Sequence, residues 1–306
     1  METPAISVRG LRKSYDGVEA VRGIDLEVAE GEVFAMLGPN GAGKTTTVEI
    51  LEGHRERTAG EVSVLGRDPA NRERAHRERI GIVLQSTGLD PYLTVAETVD
   101  LFRGYYPGPR ALDDVLSVVG LTEKRDERVR RLSGGQQRRL DVAIGLAGDP
   151  DLLFLDEPTT GFDPAARRGA WEMVKGLASL GKTIFLTTHY MDEAQALADR
   201  VAIIDGGKII AEGSPSSLIG RSDQITLIRF RLPSTAPALP PALRDRATSS
   251  AAGIEIRTED PTSTLHELTS WAVGNDLSLD GIEVTRPSLE DIYLELTREA
   301  GQGAAG

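Results

Sequence analysis

Residues Gly38-Pro39-Asn40-Gly41-Ala42-Gly43-Lys44-Thr45 fit the spacing G-x-x-x-x-G-K-[ST]. Glycines at these positions let a backbone curl so that successive N–H groups point inward at phosphate oxygens. A helix beginning straight after them adds the partial positive charge of its N-terminus. Lys44 is then expected to reach the β- and γ-phosphates of a nucleotide, and the Thr45 hydroxyl to hold Mg²⁺. The apolar run 33–37 ahead of the loop and the helical stretch beginning at Thr46 behind it supply the strand–loop–helix context that this chemistry needs.

Two further segments could meet the same ligand. Leu152-Leu153-Phe154-Leu155-Asp156-Glu157 puts two carboxylates at the end of an apolar strand, where open α/β sheets place their ligands. Asp156 is expected to orient Mg²⁺, and Glu157 to polarise an attacking water. Leu132-Ser133-Gly134-Gly135-Gln136-Gln137 precedes a helical pattern, and Ser133 with Gln136 three residues on fits a capping box. Gly134 and Gly135 leave backbone N–H groups open to a second anion.

The elements that must hold these residues read as an α/β domain over 1–218. Short β-rich runs at 6–8, 24–28, 33–37, 80–84, 152–155, 183–188 and 201–204 alternate with helical patterns. Several are apolar throughout, as in strands covered on both faces. Asp205-Gly206-Gly207 reads as a hairpin turn. A smaller α+β appendage over 219–306 follows, with strands expected at 225–232, 254–257 and 277–285. Helices are expected there at 263–273 and 288–297, with a proline-rich loop at 233–241 and a disordered tail at 301–306. No internal repeat is visible.

Taken in order, the three motifs resemble the Walker A, signature and Walker B motifs of ABC-type ATPases, over roughly the first 218 residues. The resemblance implies a P-loop nucleotide-binding domain with a mixed sheet and a helical subdomain, ATP and Mg²⁺ as ligands, and ATP hydrolysis. It also implies a head-to-tail homodimer in which each ATP lies between one copy's phosphate loop and the other's signature helix. By the same resemblance Gln85 is the Q-loop glutamine that senses Mg²⁺ and γ-phosphate, and His189 is the switch histidine. Asp163 is the D-loop aspartate, and Tyr15 the aromatic that stacks on adenine, with a plain strand aromatic as the alternative. Phe162 stands where leucine is usual. His54 and His76 match nothing and read as surface residues.

Pro287-Ser288-Leu289-Glu290-Asp291-Ile292-Tyr293-Leu294-Glu295-Leu296-Thr297 and Gly206-Gly207-Lys208-Ile209-Ile210-Ala211-Glu212-Gly213-Ser214-Pro215 resemble bacterial exporter ATPases of the daunorubicin-resistance type. That implies an exporter subunit that powers a separate membrane permease and sits in the cytoplasm against the membrane's inner face. An importer ATPase with a regulatory C-terminal domain, or a non-catalytic nucleotide-gated module, are the alternatives.

Composition narrows the partners. A net charge of −12 argues against nucleic acid, whose binding needs a basic face, and against docking on anionic lipid. No run nears the roughly 18 apolar residues that span a bilayer, so direct lipid insertion is not expected. The absence of cysteine rules out disulfides and thiolate metal sites.

Overall fold

The computed structural model describes residues 4–83, 88–220, 225–233, 236–250 and 253–303. The chain divides into two compact units, Met1–Pro215 and Ser216–Gly306.

The first unit carries two sheets. The larger contains β3 (Val33–Leu37), β5 (Ile80–Val83), β6 (Leu152–Asp156), β7 (Thr183–Thr188), β8 (Arg200–Asp205) and β9 (Lys208–Gly213), in the order β5-β6-β7-β3-β8-β9. Its first five strands run parallel, and β9 joins the edge antiparallel through the Gly206-Gly207 turn. A three-stranded antiparallel sheet, β2-β1-β4, uses β1 (Ile6–Tyr15), β2 (Val18–Val28) and β4 (Ala59–Val64). Every residue of β3 and β7 is buried, which explains the unbroken apolar pattern of β3 and the apolar centre, Ile184–Leu186, of β7. Phe34 stacks on Phe185 at 5.5 Å, and Phe154 meets the same ring at 5.8 Å, locking β3, β7 and β6 together.

Among the described residues seven α-helices complete this unit. They are α1 (Lys44–Leu51), α2 (Arg74–Arg77), α3 (Val95–Arg103), α4 (Leu112–Val118), α5 (Gly134–Leu146), α6 (Pro164–Ser179) and α7 (Met191–Leu197). The expected capping box forms, Ser133 with Gln136 on α5, and the same spacing in Thr94-Val95-Ala96-Glu97 gives a second, Thr94 with Glu97 on α3. One histidine departs from expectation. His76 is 1% exposed, not a surface residue, because α2 folds it inward beside β5.

At the division lies α8 (Pro215–Gly220). The second unit holds β10 (Thr226–Arg231), α9 (Pro241–Arg244), β11 (Ala247–Ser250), β12 (Gly253–Thr258), α10 (Pro261–Gly274), β13 (Asp280–Thr285) and α11 (Leu289–Gly303). Its strands form an antiparallel sheet, β11-β12-β10-β13, over a small core of Ile228, Phe230, Leu243, Ile256 and Leu268. Arg229 ties β10 to β12 through Glu255 and to α11 through Asp291. The expected disordered tail is corrected in part: α11 runs through Gly303. Residues 304–306 lie outside the described residues.

Candidate nucleotide site

Three strand ends meet at one edge of the large sheet. β6, β7 and β3 are neighbours, and their carboxyl ends deliver Asp156-Glu157, Thr187–His189 and the Gly38–Thr45 loop. Gly38 N–H donates to Thr188 O at 3.3 Å, which anchors the loop to β7. Gly38 also has no room for a side chain, since a Cβ would come within 2.2 Å of the Ile204 carbonyl. Gly43 closes the loop at φ 108°, a left-handed conformation that favours glycine, and no side chain caps α1 behind it. The first N–H groups of α1 are therefore left for a ligand. Thr47 donates to Gly43 O at 2.9 Å and stiffens the first turn.

The cleft over this loop encloses about 510 Å³ and is lined by Ala20, Asn40, Gly41, Gly43–Thr46, Asp156 and Glu157. Gly38, Pro39 and Ala42 belong to the same loop but do not line the cleft. Pro39 has no N–H, and its carbonyl accepts from Lys44 at 3.1 Å, while Ala42 is buried in the core. Lys44 also donates to Gly38 O at 2.8 Å and lies 3.6 Å from Glu157 Oε1. Burial lowers the Lys44 pKa, opposed by the charges of Glu157 and Asp156.

Glu157 is the most constrained side chain here. Its Oε2 accepts from the Thr160 hydroxyl at 3.0 Å and lies 3.4 Å from His189 Nδ1. Burial alone would raise its pKa. The Thr160 hydroxyl, the Lys44 ammonium and His189 outweigh that and hold the carboxyl below the usual glutamate range. The group is thus an ionised acceptor at neutral pH. Its backbone has φ 44°, and its N–H donates to both the carbonyl and the hydroxyl of Thr187, at 3.2 and 3.1 Å. The same hydroxyl donates to Asp156 Oδ1 at 2.5 Å.

The donor chemistry fits Mg²⁺. The Thr45 hydroxyl and the Asp156 carboxylate are hard oxygen donors on one cleft. Among the described residues no group of three His, Asp or Glu could hold a metal by itself. Gln85, expected at the same ion, lies outside the described residues.

Other expected residues sit apart from this cleft. No residue of Ser133–Gln136 lines it. Gly134 instead lines a second groove of about 340 Å³ with Gln137, Arg138 and Phe162, and the two share only Glu157. Asp163 caps α6, accepting from Ala165 N and Ala166 N at 2.8 Å each, a structural task the motif alone does not reveal. Tyr15 ends β1 with its hydroxyl 3.5 Å from that of Thr46, and Lys13 and Arg55 lie over its ring. Sequence reasoning missed Thr160, Thr187 and Arg138. Thr187 and Arg138 have no local signal, because each reaches Asp156 or the carbonyls around Glu157 from another element, and Thr160, only three residues after Glu157, stands at no motif position.

Comparison with known proteins agrees with this geometry. The ABC transporter family profile matches residues 21–160, and a C-terminal domain profile of ABC transporter domain-containing-like proteins matches 226–288. The Nod factor export ATP-binding protein I of Ralstonia nicotianae is 40% identical over 96% of this chain and 94% of its own. The chain belongs to the ATP-binding subunits of ABC transporters. A Rhizobium protein of the same name is 39% identical over 97% of this chain and 98% of its own. Among solved structures, the ATP-binding cassette MJ0796 bound to ADP and Pi superposes with TM-score 0.60 at 26% identity, covering 68% of this chain and 98% of that one. The cbiO1 cassette from Clostridium perfringens gives 0.63 at 30%, covering 72% and 92%. As a member of this family the chain is a P-loop ATPase that binds and hydrolyses ATP.

Proposed function

We propose that this ABC ATPase drives an exporter, working as a head-to-tail homodimer on a separate membrane permease. The observation that carries the two-copy reading is the separation of the two anion sites. The phosphate-loop cleft contains no residue of Ser133–Gln136, so within one copy the α5 N-terminus does not line the cleft that would take the triphosphate. A second copy, turned head to tail, would bring its α5 N-terminus to the γ-phosphate.

In that arrangement the loop N–H groups and Lys44 bind the phosphates. Lys44 leaves Glu157 for the nucleotide as it does so. Thr45 and Asp156 would hold Mg²⁺, which neutralises charge developing between the β- and γ-phosphates. Glu157 then accepts a proton from, or orients, the attacking water, while His189 faces the γ-phosphate. Tyr15 stacks on the base, and Asp163 stands at the junction between copies.

Export follows from the relatives' printed function, and their cargo is not carried over to this chain. Among the described residues no helix is long and apolar enough to cross a membrane; in this reading a separate permease supplies the pathway. Tyr92, Leu101 and Tyr105, on and beside α3, are large apolar side chains left exposed, and in this reading they meet a permease helix. The protein would then lie at the cytoplasmic face of the membrane.

The test is the Mg-dependent ATPase rate per subunit against protein concentration, with size measured alongside. A rate that rises with concentration supports shared sites. A concentration-independent rate from a proven monomer refutes them.

A further inference from the structure

We propose that Arg138 is a positioning residue for Glu157 and that, through it, the signature helix of one copy sets the catalytic carboxylate of that same copy. The side chain is 8% exposed. Its Nε donates to Pro158 O at 3.2 Å and its Nη2 to Asp156 O at 3.0 Å. Those two carbonyls belong to the residues immediately before and after Glu157. One planar guanidinium therefore grips the chain on both sides of the residue that must face the attacking water.

Glu157 needs such a grip. A non-glycine residue at φ 44° carries strain, and surrounding structure must hold it there. On one side Thr187 takes the Glu157 N–H twice. On the other, Arg138 takes the flanking carbonyls. A lysine could not replace it, because an ammonium is a point charge on a flexible stem and lacks the rigid fork. Burial lowers the Arg138 pKa, against which Asp141, 3.8 Å away, and Asp156 act.

Position gives the clamp its second meaning. Arg138 stands four residues, about one helical turn, after Gly134, where α5 begins under its Ser133 cap. A short capped helix moves as a rigid piece. A shift of its N-terminus, when that end engages a phosphate, is delivered to the carbonyls around Glu157. The neighbouring Arg139 has a different task, donating to Val119 O and Gly169 O. In a head-to-tail dimer the α5 N-terminus would meet one ATP and Glu157 the other, so Arg138 would couple the two sites. This coupling rests on the two-copy reading above; the clamp does not.

The experiment is steady-state ATPase on the full chain for wild type, Arg138→Gln, Arg138→Lys and the double variant Arg138→Gln/Asp141→Asn, which leaves no buried carboxylate without its cation. Rates are normalised to active sites titrated with a fluorescent ATP analogue. The expected result is a kcat lowered on the order of 10- to 100-fold with KM within about twofold, as for a misplaced catalytic group. Lysine should not rescue, and the Hill coefficient should fall toward one. Unchanged kcat and Hill coefficient after normalisation overturn the proposal. So does a raised KM at constant kcat, which would put Arg138 in nucleotide binding. If wild type itself shows no cooperativity and no dimer, the two-copy reading fails while the kcat comparison still judges the clamp.

Discussion

Lys44 Nζ and Glu157 Oε1 face each other at 3.6 Å, with side chains only 4% and 14% exposed. The cation that should hold the phosphates and the carboxylate that should activate water are thus each other's partner before ligand arrives. An incoming triphosphate must take Lys44 from Glu157, and its charge then repels that carboxylate. Glu157→Gln removes the repulsion together with the base. Its turnover should fall roughly 10²- to 10⁴-fold, the usual share of general-base catalysis, while ATP binds at least as tightly as in wild type. Equilibrium binding and single-turnover kinetics check both halves. A variant that hydrolyses within about tenfold of wild type would remove Glu157 from the mechanism.

Gly134 offers a test of the partner copy without disturbing the chain itself. A Cβ there meets nothing within 4 Å, and the residue is exposed at the first position of α5. Gly134→Asp should fold and bind ATP at its own phosphate loop with unchanged affinity. It should nonetheless lose ATPase activity and ATP-dependent dimerisation, since a carboxylate now occupies the end where a phosphate should dock. Gel filtration with ATP, on a Glu157→Gln background, measures the dimer. Normal dimerisation and turnover would mean that α5 does not meet the second phosphate.

Tyr15 should carry the base. Lys13 and Arg55 lie over its ring at 4.9 and 5.2 Å, and its hydroxyl is 3.5 Å from that of Thr46. Removing the ring in Tyr15→Ala should weaken ATP binding by about 1–3 kcal/mol, whereas Tyr15→Phe should bind normally. Titration with ATP and with inorganic triphosphate separates stacking from phosphate contacts. Equal losses for both ligands would assign Tyr15 a structural role.

What the sequence made legible was local. The phosphate loop, the two capping boxes and the all-apolar strands depend on residues within one turn or one strand of each other, and the structure forms them at those positions. Contacts closing across longer distances were not legible. The Arg138 clamp spans 18 and 20 residues, and Thr187 meets Asp156 across 31. Asp163 was read for its motif, yet in this chain its carboxylate is committed to capping α6. In the second unit α9 and β11 follow a proline-rich stretch and gave no periodic signal. α11 continues past Thr297 through two glycines, poor helix formers that pointed to an earlier end.

His76 shows most directly what burial changes. Both ring nitrogens are buried without a hydrogen-bond partner, and burial first, then Arg67 and Arg79, depress its pKa below 6.5 against the opposing pull of Glu73. In the unfolded chain the ring titrates near 6.5, so below that pH the unfolded state binds the extra proton more readily than the folded one. Stability from the neutral ring is therefore complete above about pH 6.5 and is lost as pH falls toward the folded value. His76→Leu cannot take up that proton, so its stability should decline less than that of wild type between pH 7.5 and 5.5. The two units need separate readouts. The chain's two tryptophans are Trp171 in the first unit and Trp271 in the second, so a Trp271→Phe background reports the first alone. Urea midpoints followed by Trp171 fluorescence should converge, or cross in favour of His76→Leu, as the pH drops. Parallel pH profiles for the two proteins would show that the His76 ring takes no part in the acid sensitivity of the cassette.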